Sequence, residues 1–373
     1  MKTLNALVAA AAVLAAPALA DLTFWEAHSI PAEELQDLVS QTSTLGMDGV
    51  AFGAGDNLFA IHANASSDET IFFFDPETDP PVGTVLRTAS QIRTDLGFTG
   101  TPIFESGFDA SPDGRYIYFV ASDSADIDGE LVLVRIDSTV APYAAVEILG
   151  GADLDDMTDF AVIPNGGSHQ IVGVRGSTGV GTIDPFASTP AWVQRVTEAQ
   201  LQAVLSTSST IPTESVAVHP VNGTVYVFAH DVKELFSISN ILTAPAATRV
   251  VVAGWPGVVD FHDLAVTASG KIVGFDEADP GSIRIFDGTT AYNYTLEDLA
   301  ATIEVHSHTK SAKHGSGTGA EFEPALWRGL VAEDGPDNTV IGFFAAQGAE
   351  LGVVEITFGT PAPMSAPDWQ LYQ

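Results

Sequence analysis

One short unit recurs along this chain and limits its fold more than any other feature. It is clearest at residues 108–137, FDASPDGRYIYFVASDSADIDGELVLVRID. A short strand leads into the turn Pro112-Asp113-Gly114-Arg115, then a β-branched and aromatic run, an acidic loop and a second alternating run. Each joint has the residues that a tight turn needs.

Six segments repeat this grammar: a polar residue, an apolar-small-apolar run, a Gly/Pro/Asn/Asp turn and a β-rich run. They begin at Asp48, Ser106, Thr158, Glu214, His262 and Arg328. That spacing suits a four-stranded propeller blade, which runs to about 40–50 residues, with insertions added. The reading is all-β: a six-bladed β-propeller with short helices in the blade-to-blade connections. A two-domain β-sandwich protein is the alternative.

The last repeat lacks a fourth strand. Residues 21–27 (DLTFWEA) have the character to supply it, so the N-terminal strand is expected to close the ring and remove a free edge. Thr88-Ala-Ser-Gln91 and Thr197-Glu-Ala-Gln200 are capping boxes that open short helices. Residues 31–39 and the stretch from Thr295 are read as equivalent helices.

Residues 1–20 read as a secretory leader: Lys2, an apolar run, then Pro17-Ala-Leu-Ala20 before cleavage. The run is shorter than the ~20 residues that a membrane span requires, and no later segment is long and apolar enough. The expected organisation is a leader at 1–20, a propeller at 21–359 and a C-terminal tail at 360–373. The expected location is secreted or periplasmic.

Cysteine is absent, so neither disulfides nor thiol chemistry are available. The core must then carry stability, and 46% hydrophobic residues can build one. Net charge is −34. Such a charge opposes nucleic acid and anionic membranes, which need a cationic footprint. It leaves a small molecule or an extracytoplasmic protein as partner, and it suits either a solvated acidic surface or cation binding.

The runs SPDGRYIYFVA (residues 111–121) and VAVHPVNGTVYVF (residues 216–228) resemble the repeat signatures of YncE-like and lactonase-type six-bladed propellers. The likeness covers nearly the whole chain after the leader and implies architecture, not an activity.

In such a ring the inner strands start at one rim, and there the helices and long loops gather. Function is expected on that face. Side-chain alternation defines two columns. One is Asp48, Ser106, Thr158, Glu214, His262 and Arg328. The other is Gly49, Gly107, Asp159, Ser215, Asp263 and Gly329, continued inward by Ala51, Asp109, Ala161, Ala217, Ala265 and Val331. The small residues of the second column place it toward the narrow axis.

Asp109, Asp159, Glu214 and Asp263 are therefore candidate ligands for Ca2+ or another divalent cation, because converging carboxylates repel unless a cation or proton lies between them. The competing account has the same acids accepting backbone N–H groups at the strand starts. Asp48, Trp255 and Arg328 are candidate ligand-binding residues at the mouth.

The loop Asp123-Ser-Ala-Asp126-Ile-Asp128-Gly129-Glu130 alternates carboxylates before a glycine, as calcium loops do, without full EF-hand spacing. His306, His308 and His314, with Glu321 and Glu323, form the one histidine cluster, amid Lys310, Lys313 and a glycine-rich run. It reads as a metal site or as a charged lid.

Two functions follow. One is a binding propeller that takes a ligand or partner on the loop-rich rim, through Ca2+ or without it. The other is a divalent-metal-dependent hydrolase of lactonase or phosphoesterase type, with His262 or Asp263 as general base. Resemblance to the lactonases implies a cation held by Glu, Asn and Asp from the inner-strand starts. Glu214, Asp159 and Asp263 match in type, but no asparagine occupies any of the six starts.

Overall fold

The computed structural model describes residues 26–30, 35, 46–55, 57–63, 70–76, 78, 81–126, 130–176, 178–252, 261–276, 282–288, 290–295, 304–305, 327–336, 339–346 and 352–359. These residues form six antiparallel sheets joined in chain order. The chain is a six-bladed β-propeller.

Blade 1 runs Gly46–Phe52, Leu58–Ala63, Thr70–Asp75 and Val82–Thr88. Blades 2, 3, 4 and 5 open with the inner strands Pro102–Ala110, Met157–Asn165, Thr213–Val218 and Phe261–Val266, each followed by three further strands. Blade 6 holds Trp327–Asp334, Val340–Ala346 and Val353–Phe358. Its fourth strand is Glu26–Ile30, antiparallel to Val353–Phe358. The N-terminal strand therefore closes the ring as expected, but with its centre a few residues later than 21–27. A two-residue strand, Glu304–Val305, pairs parallel to its outer edge. No sequence signal had marked that pairing.

The strands bury alternate faces because the blades stack face to face. Six apolar clusters result, one in each junction between neighbouring blades. Phe228 of blade 4 meets Phe261 of blade 5 edge-on at 5.2 Å between ring centres. Each such buried side chain contributes about 1.5–3 kcal/mol.

Close approach at the axis needs glycine where blade 6 meets blade 1 and where blade 1 meets blade 2. A Cβ on Gly329 would lie 2.8 Å from the Gly49 Cα, and one on Gly49 would lie 2.6 Å from the Phe108 Cβ.

Helices α1 (Ala89–Leu96) and α2 (Glu198–Leu205) carry the two capping boxes, closed by Thr88 with Gln91 and by Thr197 with Gln200. Both follow an outer strand at the rim where inner strands start. Of the helix read at 31–39 only Leu35 is described, helical and buried; the helix read from Thr295 onward, the leader and the C-terminal tail lie outside the described residues. Among the described residues no helix is long and apolar enough to cross a membrane.

Candidate functional site

Every inner strand breaks register near its start. The shifts fall between Met47 and Gly49, Met157 and Asp159, Thr213 and Ser215, Phe261 and Asp263, and Trp327 and Gly329. Blade 2 shifts twice, between Phe104 and Ser106 and between Ser106 and Phe108. A bulge leaves one residue unpaired and re-aims its neighbours. Asp48, Thr158, Glu214, His262 and Arg328 are the residues at which the register shifts, all on one rim.

Inside the ring lies a cavity of about 860 Å³. Its charged lining consists of Asp48, Glu105, Asp109, Asp159, Glu214, Asp263 and Glu333, with no Lys, Arg or His among the described lining residues. The acids stand at successive depths. Asp48, Glu105 and Glu214 are at the mouth, Asp159 and Asp263 one level in, Asp109 deeper and Glu333 near the far end. Five residues of inner strand separate the first level from the last, roughly 16 Å at the usual strand rise.

The three deep aspartates share one hydrogen-bonding scheme. Asp109 accepts the N–H of Ala110 on one oxygen and that of Val162, in the next blade, on the other, both at 2.7 Å. Asp159 accepts Phe160 N–H and Val216 N–H, both at 2.8 Å. Asp263 accepts Leu264 N–H and Leu330 N–H, both at 2.7 Å. Each carboxylate thus stitches the inner strand of its own blade to the following one. These N–H groups face the axis, where no further strand can pair with them, so the carboxylates satisfy donors that would otherwise be orphaned.

The aspartates are half-buried at the channel wall. Burial pushes Asp109 up to about 6 and Asp263 up to about 7, against the lowering effect of their N–H donors. Asp159 is held well above the usual carboxylate range, first by burial and then by the charges of Asp263 and Asp109. The channel holds negative charge under tension, and a proton or a cation relieves it.

At the mouth, Glu214 lies 2.8 Å from His230 Nδ1, with both side chains about two-fifths exposed at 42% and 40%. Glu214 therefore faces a rim histidine as well as the channel. Asp48 is half-buried in the channel wall. The Thr158 hydroxyl donates to the Thr213 carbonyl, a further link between blades 3 and 4. His262 and Arg328 sit at bulge positions of blades 5 and 6, but their side chains, like Trp255, lie outside the described residues.

Sequence reasoning singled out Asp48, Asp109, Asp159, Glu214 and Asp263, and the fold brings all five to one cavity. It passed over Glu105 and Glu333, and it missed His230 as a partner of Glu214. The bulge that turns Glu105 inward has no signature in composition or alternation. Glu333 was legible, because it continues the Gly329–Val331 alternation by two residues.

The Asp123 loop is a turn lock where it is described. Asp123 accepts Thr99 N–H and Gly100 N–H at 2.7 Å and Ala125 N–H at 3.0 Å, which hold its carboxyl below the usual range. Residues 127–129 and the histidine-bearing stretch 306–326 lie outside the described residues. Among the described residues no group of three or more His, Asp or Glu is arranged to hold a metal ion.

No protein-family model matches the chain, and no curated protein matches it in sequence. Solved structures with a similar shape include a gluconolactonase from Xanthomonas campestris, at 10% identity over 88% of each chain and a TM-score of 0.49. Another is the Malassezia sympodialis allergen Mala s 1, at 8% identity over 88% of this chain and 95% of that one, with a TM-score of 0.49. A third is Saccharomyces cerevisiae Sqt1, at 10% identity over 86% and 97%, with a TM-score of 0.47. Likenesses this distant carry no argument about activity.

Proposed function

We propose that this chain is an exported binding propeller that takes a cationic ligand into the mouth of its axial channel. The leader-like residues 1–20 support export, and the ligand is a small molecule or a group presented by an extracytoplasmic protein. One observation carries the reading: among the described residues the charged lining of the channel is carboxylate alone, at several depths. A concave site with convergent polar groups and perturbed carboxylates is where binding concentrates. Ca2+ is the metal that such oxygen donors would favour.

Thermal unfolding of the mature chain tests this, with Ca2+, chelator or an alkylammonium salt added. A ligand at one hundred times its Kd stabilises by about 2.7 kcal/mol, so a measurable rise in Tm is the expected result. No shift with any of them overturns the reading.

One observation favours a hydrolase instead. Asp263, pushed up to about 7 by burial, titrates where a general base works best. In that reading Asp263, or His262 beside it, takes a proton from water attacking a lactone or phosphate ester. Turnover of such esters that survives Asp263→Asn would remove this residue from the chemistry.

A further inference from the structure

Part of the wall between the acids is aromatic: half-buried Phe52, Phe104 and Phe108 line the same cavity as the carboxylates, while Phe119 and Phe160 behind them are buried in the blade junctions. We infer that the channel's ligand is an organic ammonium with an apolar body, recognised by ring faces and surrounding carboxylate charge. This inference rests on the cation-binding reading above and names its ligand class.

Three features favour an organic cation over a bare metal ion. The cavity, about 860 Å³, is the size that encloses a drug-sized molecule, for which pockets run to roughly 300–1,000 Å³. A hydrated divalent ion leaves most of such a space unused. Asp109, Asp159 and Asp263 each have both oxygens engaged by backbone N–H donors. Their charge still acts across the channel, but inner-shell coordination would compete with those donors. An ammonium needs only the field and a π face. The apolar wall then receives the ligand's body by the hydrophobic effect.

Calorimetric titration of the intact mature chain tests the idea. The probes are 2-phenylethylammonium, its near-isosteric neutral partner 2-phenylethanol, and CaCl2. The ammonium is expected to bind at least tenfold more tightly than the alcohol, and more weakly as salt is raised. Glu105→Gln with Glu214→Gln, both at the mouth and neither a stitch between blades, should weaken ammonium binding severalfold while the far-ultraviolet spectrum is retained. Equal binding of the alcohol, or unchanged affinity in the double variant, overturns the inference. Binding of Ca2+ without the ammonium also overturns it and leaves the cation-binding reading standing. If neither cation binds, both fall.

Discussion

Asp159 accepts the amide N–H of Val216, a residue 57 positions away in the next blade, at 2.8 Å. Its other oxygen holds Phe160 N–H in its own blade. One carboxylate therefore joins two inner strands that share no ladder, and Asp109 and Asp263 repeat the device at two other junctions.

Removing it should loosen the ring. Asp159→Ala leaves two axis-facing N–H groups without an acceptor, at about 1–3 kcal/mol for each buried group so left. The denaturant midpoint should fall with little change in secondary structure. A loss under about 0.5 kcal/mol, the usual range for surface substitutions, would show that water replaces the carboxylate without penalty.

The same carboxylates set a pH dependence. Asp109, Asp159 and Asp263 are raised in the fold above their unfolded value of 3.8, to about 6 for Asp109 and about 7 for Asp263. The folded state therefore holds protons more tightly than the unfolded one. Their contribution is fully present below about pH 3.8 and is lost as pH rises through 6 and 7. Asp137, held down to about 2 by its hydrogen bond from Arg115, acts the other way and fails only in stronger acid. Denaturant midpoints should fall from pH 5 to pH 8, and Asp263→Asn should flatten that slope. An equal slope in the variant would assign the trend to general charge repulsion.

Ring closure offers a third prediction. Glu26–Ile30 covers the strand Val353–Phe358, whose register runs from Glu26 opposite Thr357 to Ile30 opposite Val353. A chain starting after residue 30 exposes that apolar edge, which pairs readily with other chains. It should melt at lower temperature and elute as aggregates, whereas a chain starting at residue 21 should remain a single species. Equal melting of the two would mean that the closing strand adds nothing to stability.

The mouth of the channel was only partly legible in advance. The alternating columns placed Asp109, Asp159 and Asp263 at the axis, because a period of two fixes which residues share a face. That they accept backbone N–H groups was one of the two sequence readings and is what the fold shows, but the donors in the next blade were not legible. Val162, Val216 and Leu330 carry no mark in their own identity, since any residue except proline offers the same backbone N–H. His230 meets Glu214 only because the next strand of blade 4 returns to the same rim.

The chain's repeat grammar, turn residues and capping boxes determined six blades, two capped helices and an N-terminal closing strand. Those features are local, and local sequence encodes them through backbone preference and side-chain periodicity. Only the tertiary structure decided that each deep aspartate bridges two blades, that bulges turn Glu105 and Glu214 to the mouth, and that Phe52, Phe104 and Phe108 share a cavity with the acids. Such contacts join residues more than fifty positions apart, and they exist only once the ring has brought its strand starts around one axis.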